Sequence, residues 1–300
     1  MDAQAILKDI FNNPANSSKY FHEFTDVCSI HGETDFVKIL EYPAKCKQCS
    51  EIEREEARKK QAAAERRDLM LSVMENCGIS VMANGFDAWQ YDPNPQQAQR
   101  QRQMISNLQG YVKNFTRDNP NILLTGGTGS GKTMLTNATL RALFVQNYRR
   151  FDGTPSRLIK SSEIARKVRN SWNDKTLPSE DMILCELSKY DLLAIDDLGD
   201  SDASGSQSMI DADRGRIGQI IDMRYQKVPT IITTNFPVDA VASFIGDRAF
   251  DRFQQRLVVI ECDWDSHRKL TAQVAKWWVH ELLRNQPKTC WQRRTHKQTL

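Results

Sequence analysis

The octapeptide Gly126-Gly127-Thr128-Gly129-Ser130-Gly131-Lys132-Thr133 constrains this chain more than any other stretch of it. It has the form G-x-x-x-x-G-K-[ST], and its setting matters as much as its letters. An apolar run over 121–125 precedes it and an amphipathic run over 134–145 follows it. The spacing predicts a buried strand, a glycine-rich turn and a helix. Glycines let successive backbone N–H groups curl around phosphate oxygens. The helix that follows turns its positive end to the same anion. Lys132 is placed to reach the β- and γ-phosphates of a bound nucleotide, and the Thr133 hydroxyl to ligate Mg²⁺. The competing reading is a glycine-rich turn with no ligand.

The residues beyond it continue the pattern. Apolar runs over 158–160, 192–195, 230–234 and 257–260 alternate with helical periodicity. Such alternation argues for a parallel sheet flanked by helices. Ile164, Val168 and Trp172 share one helix face; Ile217, Ile220, Ile221 and Tyr225 share another. Ser266 is a candidate cap for a last helix with Leu270, Val274, Trp277 and Trp278 as its apolar stripe. The strand pattern over 190–197 ends in Asp196-Asp197. Two acids at the end of a buried strand need a cation or water to meet them. Asp196 is the candidate Mg²⁺ ligand, acting through water, and Asp197 the candidate for polarising an attacking water. Asn235 closes the fourth strand, where its amide can touch a γ-phosphate or orient that water. Arg248, Arg252 and Arg256 are all candidates for an arginine supplied to a neighbouring copy's nucleotide, and composition does not choose among them.

The N-terminal region carries a second pattern, Cys28-x-x-His31 and Cys46-x-x-Cys49. A two-residue gap lets both side chains of a pair reach one ion from a tight turn. Three thiolates and one imidazole suit tetrahedral Zn²⁺, and a closed set of four points to a structural site rather than a catalytic one. The competing reading is scattered cysteines in a small helical region. His22 is less well spaced to serve. Cys77, Cys185, Cys262 and Cys290 have no partner pattern and read as ordinary apolar residues.

Four regions follow: 1–50, the candidate zinc domain; 51–76, a charged helical linker for which Ser50 is the candidate cap; 77–268, the nucleotide-binding domain; and 269–300, a basic extension with Lys288, Arg293, Arg294 and Lys297. Alternating charge in the linker suits a solvated connecting helix or a partner-binding one. The 300 residues are 40% apolar and 26% charged, which excludes collagen-like, mucin-like and fully disordered chains. A net charge of +3 does not by itself diagnose nucleic-acid binding. No apolar run approaches the roughly 18–20 residues of a membrane span, and no apolar leader core opens the chain. A cytoplasmic protein with no membrane partner is expected.

The pieces GGTGSGKT, YDLLAIDDLGD, IGQIIDMRY, TIITTNFP, IGDRAFDRF and CDWDSHR occur in that order. Over about 77–268 they resemble the AAA+ ATPase domain of DnaC/DnaI-type bacterial and phage helicase loaders. The resemblance implies an α/β AAA+ P-loop NTPase fold, with a parallel sheet flanked by helices, preceded by a small zinc-binding domain and a helical linker. It implies ATP as ligand, Asn235 as sensor 1, Arg252 as the trans-acting arginine finger and Arg268 as the sensor-2 arginine on the nucleotide. It implies a replicative hexameric DNA helicase gripped by the zinc domain, single-stranded DNA, and self-association through ATPase interfaces as partners. Residues 161–188 sit where such loaders carry an extra helix facing single-stranded DNA. There Arg166, Lys167 and Arg169 are candidate phosphate contacts, and Trp172 is either a base-stacking residue or core. Many such loaders have Asp-Glu where this chain has Asp196-Asp197, so slow hydrolysis is one expectation. The 200–213 loop is longer and more polar than usual, and the basic tail hints at a phage-type variant. The alternatives are an IstB-type transposition-targeting ATPase, and an adaptor that binds ATP and DNA without hydrolysis.

Overall fold

The computed structural model describes residues 8, 11–13, 20–40, 42–80, 85–150, 156–199 and 207–266. The chain divides into two compact units, Met1–Leu71 and Ser72–Leu300. The expected helix after Ser266, together with Arg268 and the 269–300 tail, lies outside the described residues, as does 200–206 of the polar loop.

In the first unit, β1 (Phe21–Cys28) and β2 (Gly32–Ile39) form an antiparallel hairpin, and β3 (Lys45–Cys46) pairs with β2. The hairpin register sets Phe24 opposite Phe36 and Cys28 opposite Gly32. Gly32 has a φ of 69°, a turn conformation that side chains resist. Phe24 stacks on Phe36 at 5.9 Å, yet Phe21, Val27 and Ile39 stay exposed. Helix α1 (Lys47–Asn76) follows directly. It begins three residues before the expected cap, so Ser50 lies within its first turn rather than ahead of it. The cause is local: Cys46 ends β3, and turning straight into a helix brings Cys49 beside it. Glu55 pairs with Arg58 and Lys59 one turn on, the surface-helix pattern expected from the alternating charge.

The second unit opens with α2 (Pro95–Lys113). Asn94 caps it by accepting from the N–H groups of Gln96 and Gln97, and Pro95 occupies the first turn, where no N–H is missed. Then come β4 (Asn121–Gly126), α3 (Lys132–Arg150), β5 (Arg157–Lys160), α4 (Ser161–Asn173), α5 (Glu180–Ser188) and β6 (Leu193–Leu198). They are followed by α6 (Gln207–Arg224), β7 (Thr230–Thr234), α7 (Val238–Ile245), α8 (Asp247–Gln254) and β8 (Leu257–Cys262). All pairings in this sheet are parallel, in the order β5-β6-β7-β4-β8. The α/β AAA+ P-loop arrangement expected from the sequence is the one observed.

The inner strands β4, β6 and β7 are covered because they are apolar on both sides, while Val258 and Val259 of the edge strand β8 stay exposed. Leu123, Ile195 and Ile232 are fully buried, and every residue of β7 is buried. Helices α4 and α6 add Ile164, Val168, Ile217 and Ile220 to the same core. Trp172 does not join Ile164 and Val168: its side chain is 57% exposed. It lies beyond the buried stripe, with the Arg216 guanidinium 5.3 Å from its ring centre. Arg224 is the largest fully buried side chain. It donates to the carbonyls of Leu187, Ser188, Tyr190 and Pro229 and to Thr230 Oγ1, so one cation satisfies several buried acceptors. Burial pulls it down to about 9. No helix among the described residues is long and apolar enough to cross a membrane.

Candidate functional site

Strand order gathers the site. Strand β4 lies between β7 and β8, and β6 is the next strand beyond β7. The carboxyl ends of β4, β7 and β6 therefore carry the phosphate loop, Asn235 and the paired aspartates along one edge, where open α/β sheets bind ligands. The loop 126–131 leads straight into α3, whose first residues are Lys132 and Thr133. Two glycines there are obligatory for space as well as for conformation. Gly126 has a φ of 135°, and a Cβ would strike the Cys262 carbonyl. Gly131 has a φ of 92°, and a Cβ would come within 2.6 Å of the Trp89 ring.

Lys132 Nζ donates to Gly126 O at 2.8 Å, Gly127 O at 2.9 Å and Asn235 Oδ1 at 2.9 Å. Burial lowers its pKa, opposed by the charges of Asp197 and Asp196. Thr133 Oγ1 lies 3.0 Å and 3.1 Å from the two oxygens of Asp196. Thr233 Oγ1 donates to Asp196 Oδ1 at 2.5 Å. Asp196 is 1% exposed, and burial raises its pKa above the ordinary carboxylate range while those two hydroxyls oppose the shift. A buried carboxylate next to a threonine hydroxyl is the donor set of a hard divalent cation. Asp197 sits differently. Its φ is 55°, a left-handed backbone conformation that costs a non-glycine residue energy. The β6–β7 register slips between Ile195 and Leu198, and Asp197 N–H donates to Thr233 Oγ1 at 3.0 Å. Lys160 Nζ lies 3.4 Å from Asp197 Oδ2. Ser161 Oγ donates to the Asp197 carbonyl at 2.8 Å.

Sequence reasoning missed two aromatic supports of this loop. Trp264 Nε1 donates to Ser130 O at 2.8 Å, and its ring meets Trp89 edge to face at 6.1 Å. Gln101 Oε1 accepts from both the Trp89 indole N–H and the Asp92 N–H. No local spacing announces such a network, because its members are scattered along the chain. The remaining loop residues Gly127, Thr128 and Gly129 complete the turn. Arg252 is ion-paired with Asp222 of α6 and not with the phosphate loop. Arg256 pairs with Asp118 at 3.5 Å.

In the first unit, Cys28, His31, Cys46 and Cys49 do converge, with all four ligand atoms within 4.8 Å of one another. His31 Nδ1 lies 3.6 Å from Cys28 Sγ, 3.6 Å from Cys46 Sγ and 3.4 Å from Cys49 Sγ; Cys28 Sγ and Cys49 Sγ are 3.7 Å apart. A tetrahedron built on Zn–S and Zn–N bonds has edges of roughly 3.6–3.8 Å, so the donor set fits the ion. Backbone N–H groups of Ile30 and His31 draw the Cys28 thiol down to about 6, toward the thiolate a metal needs. Burial and the neighbouring sulfurs push Cys49 up to about 11.

A parallel sheet in this order, ending in a phosphate loop and a buried aspartate, defines a P-loop nucleotide-binding fold. Residues 51–275 match the family described as IstB-like ATP binding protein, and the chain belongs to that family. The replicative helicase loader DnaC of Escherichia coli (strain K12) is 29% identical over 171 residues, covering 56% of this chain and 64% of the relative. The replicative helicase loader DnaC of Buchnera aphidicola subsp. Baizongia pistaciae is 26% identical over 161 residues, covering 53% and 61%. The chain thus spans about three fifths of the length of these curated relatives. A solved structure of the DnaC helicase loader is 21% identical, with a TM-score of 0.47, covering 59% of this chain and 95% of that one.

Proposed function

We propose that this chain is an ATP-dependent loader that delivers a replicative hexameric DNA helicase onto single-stranded DNA. The hydrogen-bonded set joining Lys132 to Asn235 and Thr133 to Asp196 carries the ATP half of this reading. The loader half draws on relatives that bear that function in their names.

In this reading Lys132 exchanges its carbonyl partners for the β- and γ-phosphate oxygens, which the loop N–H groups of 126–133 also cradle. Asn235, bonded to Lys132, registers whether a γ-phosphate is present. Thr133 and Asp196 hold Mg²⁺, which neutralises phosphate charge. Asp197 polarises the attacking water. Arg268 contacts the same nucleotide, and Arg252 serves that of a neighbouring copy. ATP and ADP then differ in their contacts to Lys132, Asn235 and Arg252, the differential interaction that a timing switch requires.

Region 1–50, with Zn²⁺ on Cys28, His31, Cys46 and Cys49, docks the helicase; 51–76 links it to the ATPase region 77–268, and 269–300 is a basic extension. The ion ties the β1–β2 turn to the start of α1. On α4, Arg166 and Lys167 meet DNA phosphates, and the exposed face of Trp172 stacks on a base. The protein works in the cytoplasm.

Co-migration with the host's hexameric helicase on a sizing column tests the reading. The intact chain is expected to form a complex that a Cys46→Ser/Cys49→Ser version with a folded ATPase unit does not. No complex with either form, at micromolar concentration with ATP, would overturn it. The family description favours one second reading, a transposition-targeting ATPase. A preference for duplex over single-stranded DNA would select that one.

A further inference from the structure

Two arginines of α8 compete for one carboxylate. Arg248 and Arg252 are one helical turn apart, on the same face of α8. Both approach Asp222, two residues before the end of α6. Arg252 Nη1 is paired with Asp222 Oδ1, and its guanidinium also lies 5.4 Å from the centre of the Tyr225 ring. Its side chain is 27% exposed. Arg248 Nε is 4.0 Å from Asp222 Oδ2, at the limit of an ion pair, and its side chain is 78% exposed. A guanidinium neutralised by its own chain and laid on its own tyrosine is not extended toward a second molecule. To stabilise charge on another copy's phosphate, Arg252 has to leave Asp222. The carboxylate it leaves is not stranded, because Arg248 is already within reach.

This inference rests on the reading of Arg252 as the arginine that serves a neighbouring nucleotide. We propose that Asp222 is a positioning residue that retains Arg252 in the lone chain and takes Arg248 in exchange when Arg252 turns to a phosphate of a second copy. The exchange makes the trans contact conditional on assembly, since a single copy has nothing to draw Arg252 away. Tyr225, next after α6, adds a cation–π contact to the resting position of the guanidinium.

The test is ATP turnover per subunit as a function of protein concentration, with saturating ATP, Mg²⁺ and single-stranded DNA, beside sedimentation of the same samples. Asp222→Asn removes the retaining charge and is expected to lower the half-maximal concentration about five-fold, the scale of one partly exposed ion pair. Arg248→Ala leaves Asp222 uncompensated in the assembled state and is expected to raise that concentration by a similar factor. The double variant is expected to behave like Asp222→Asn alone, because Arg248 then has no carboxylate to meet. Asp222→Glu keeps the charge and is expected to stay near the parent. Asp222→Ser replaces Asp222→Asn if the latter folds poorly. An unchanged or higher half-maximal concentration in the uncharged variants would overturn the proposal. A concentration-dependent rise that survives Arg252→Ala would instead overturn the reading of Arg252 itself.

Discussion

The two units of this chain are built on opposite principles. The phosphate-site unit surrounds a five-stranded sheet whose central residues, Leu123, Ile195 and Ile232, are fully buried. Its site residues stand at strand ends and owe their positions to that core. Among the described side chains of the first unit, Tyr20, Cys28 and Cys46 are the buried apolar ones, while Phe21, Phe24, Val27 and Ile39 are exposed. A hairpin with so little interior does not bury enough apolar surface to offset its ordering entropy. In the proposed reading, a metal ion on Cys28, His31, Cys46 and Cys49 supplies what the sheet supplies in the second unit. The second unit is held by burial with its candidate site at the sheet edge; in the first, the proposed metal site takes the place of a core.

Several experiments break or sharpen that contrast. Chelation of the metal, or Cys46→Ser, is expected to have the largest effect. Amide protection should vanish across residues 21–46, while the melting of the second unit stays within about 1 °C, as a separate compact unit implies. Hydrogen exchange read by mass spectrometry checks both halves at once, and loss of protection in both units would sink the contrast. Next is Lys132→Ala, expected to lower ATP turnover by about 10²–10³-fold with zinc content intact; steady-state kinetics and metal analysis measure the two. Leu123→Ala should destabilise the second unit by about 3 kcal/mol in denaturant unfolding, and metal affinity should not move. Trp172→Ala is expected to be the mildest, weakening single-stranded DNA binding about ten-fold in fluorescence titration with an oligonucleotide, with Trp172→Phe keeping most of it. An unchanged affinity would remove Trp172 from the interface.

Much of the fold could be read from the chain. Five apolar runs predict five strands, and the observed β4 to β8 fall on them; the inner three, buried on both faces, need continuous apolar residues. The N-terminal hairpin was not legible. Its strands carry Glu23, Asp26, Glu33 and Asp35 among the aromatics, so neither face shows clean alternation. The helix start differs too: Ser50 is a good cap by type, but β3 ends at Cys46 and the helix begins at once with Lys47. Trp172 continued an apolar period on paper and left it in space, because the core ends one turn earlier and Arg216, held by Glu180 and Asp213, covers one face of the ring.

By itself, the sequence determined the contiguous pieces. These are the phosphate loop, the strand that ends in Asp196-Asp197, and the two closely spaced ligand pairs. Each works through backbone geometry over a few residues, so its letters and spacing carry its physics. Tertiary structure alone decided everything that depends on which distant side chains meet. It set Lys132 on Asn235, put Asp197 at a slip between β6 and β7, and laid Trp264 against Ser130. It also gave Arg252 to Asp222 while leaving Arg248 exposed. Pairings of this kind are fixed by strand order and helix packing, and a one-dimensional pattern does not encode a distance between residues that lie far apart along it.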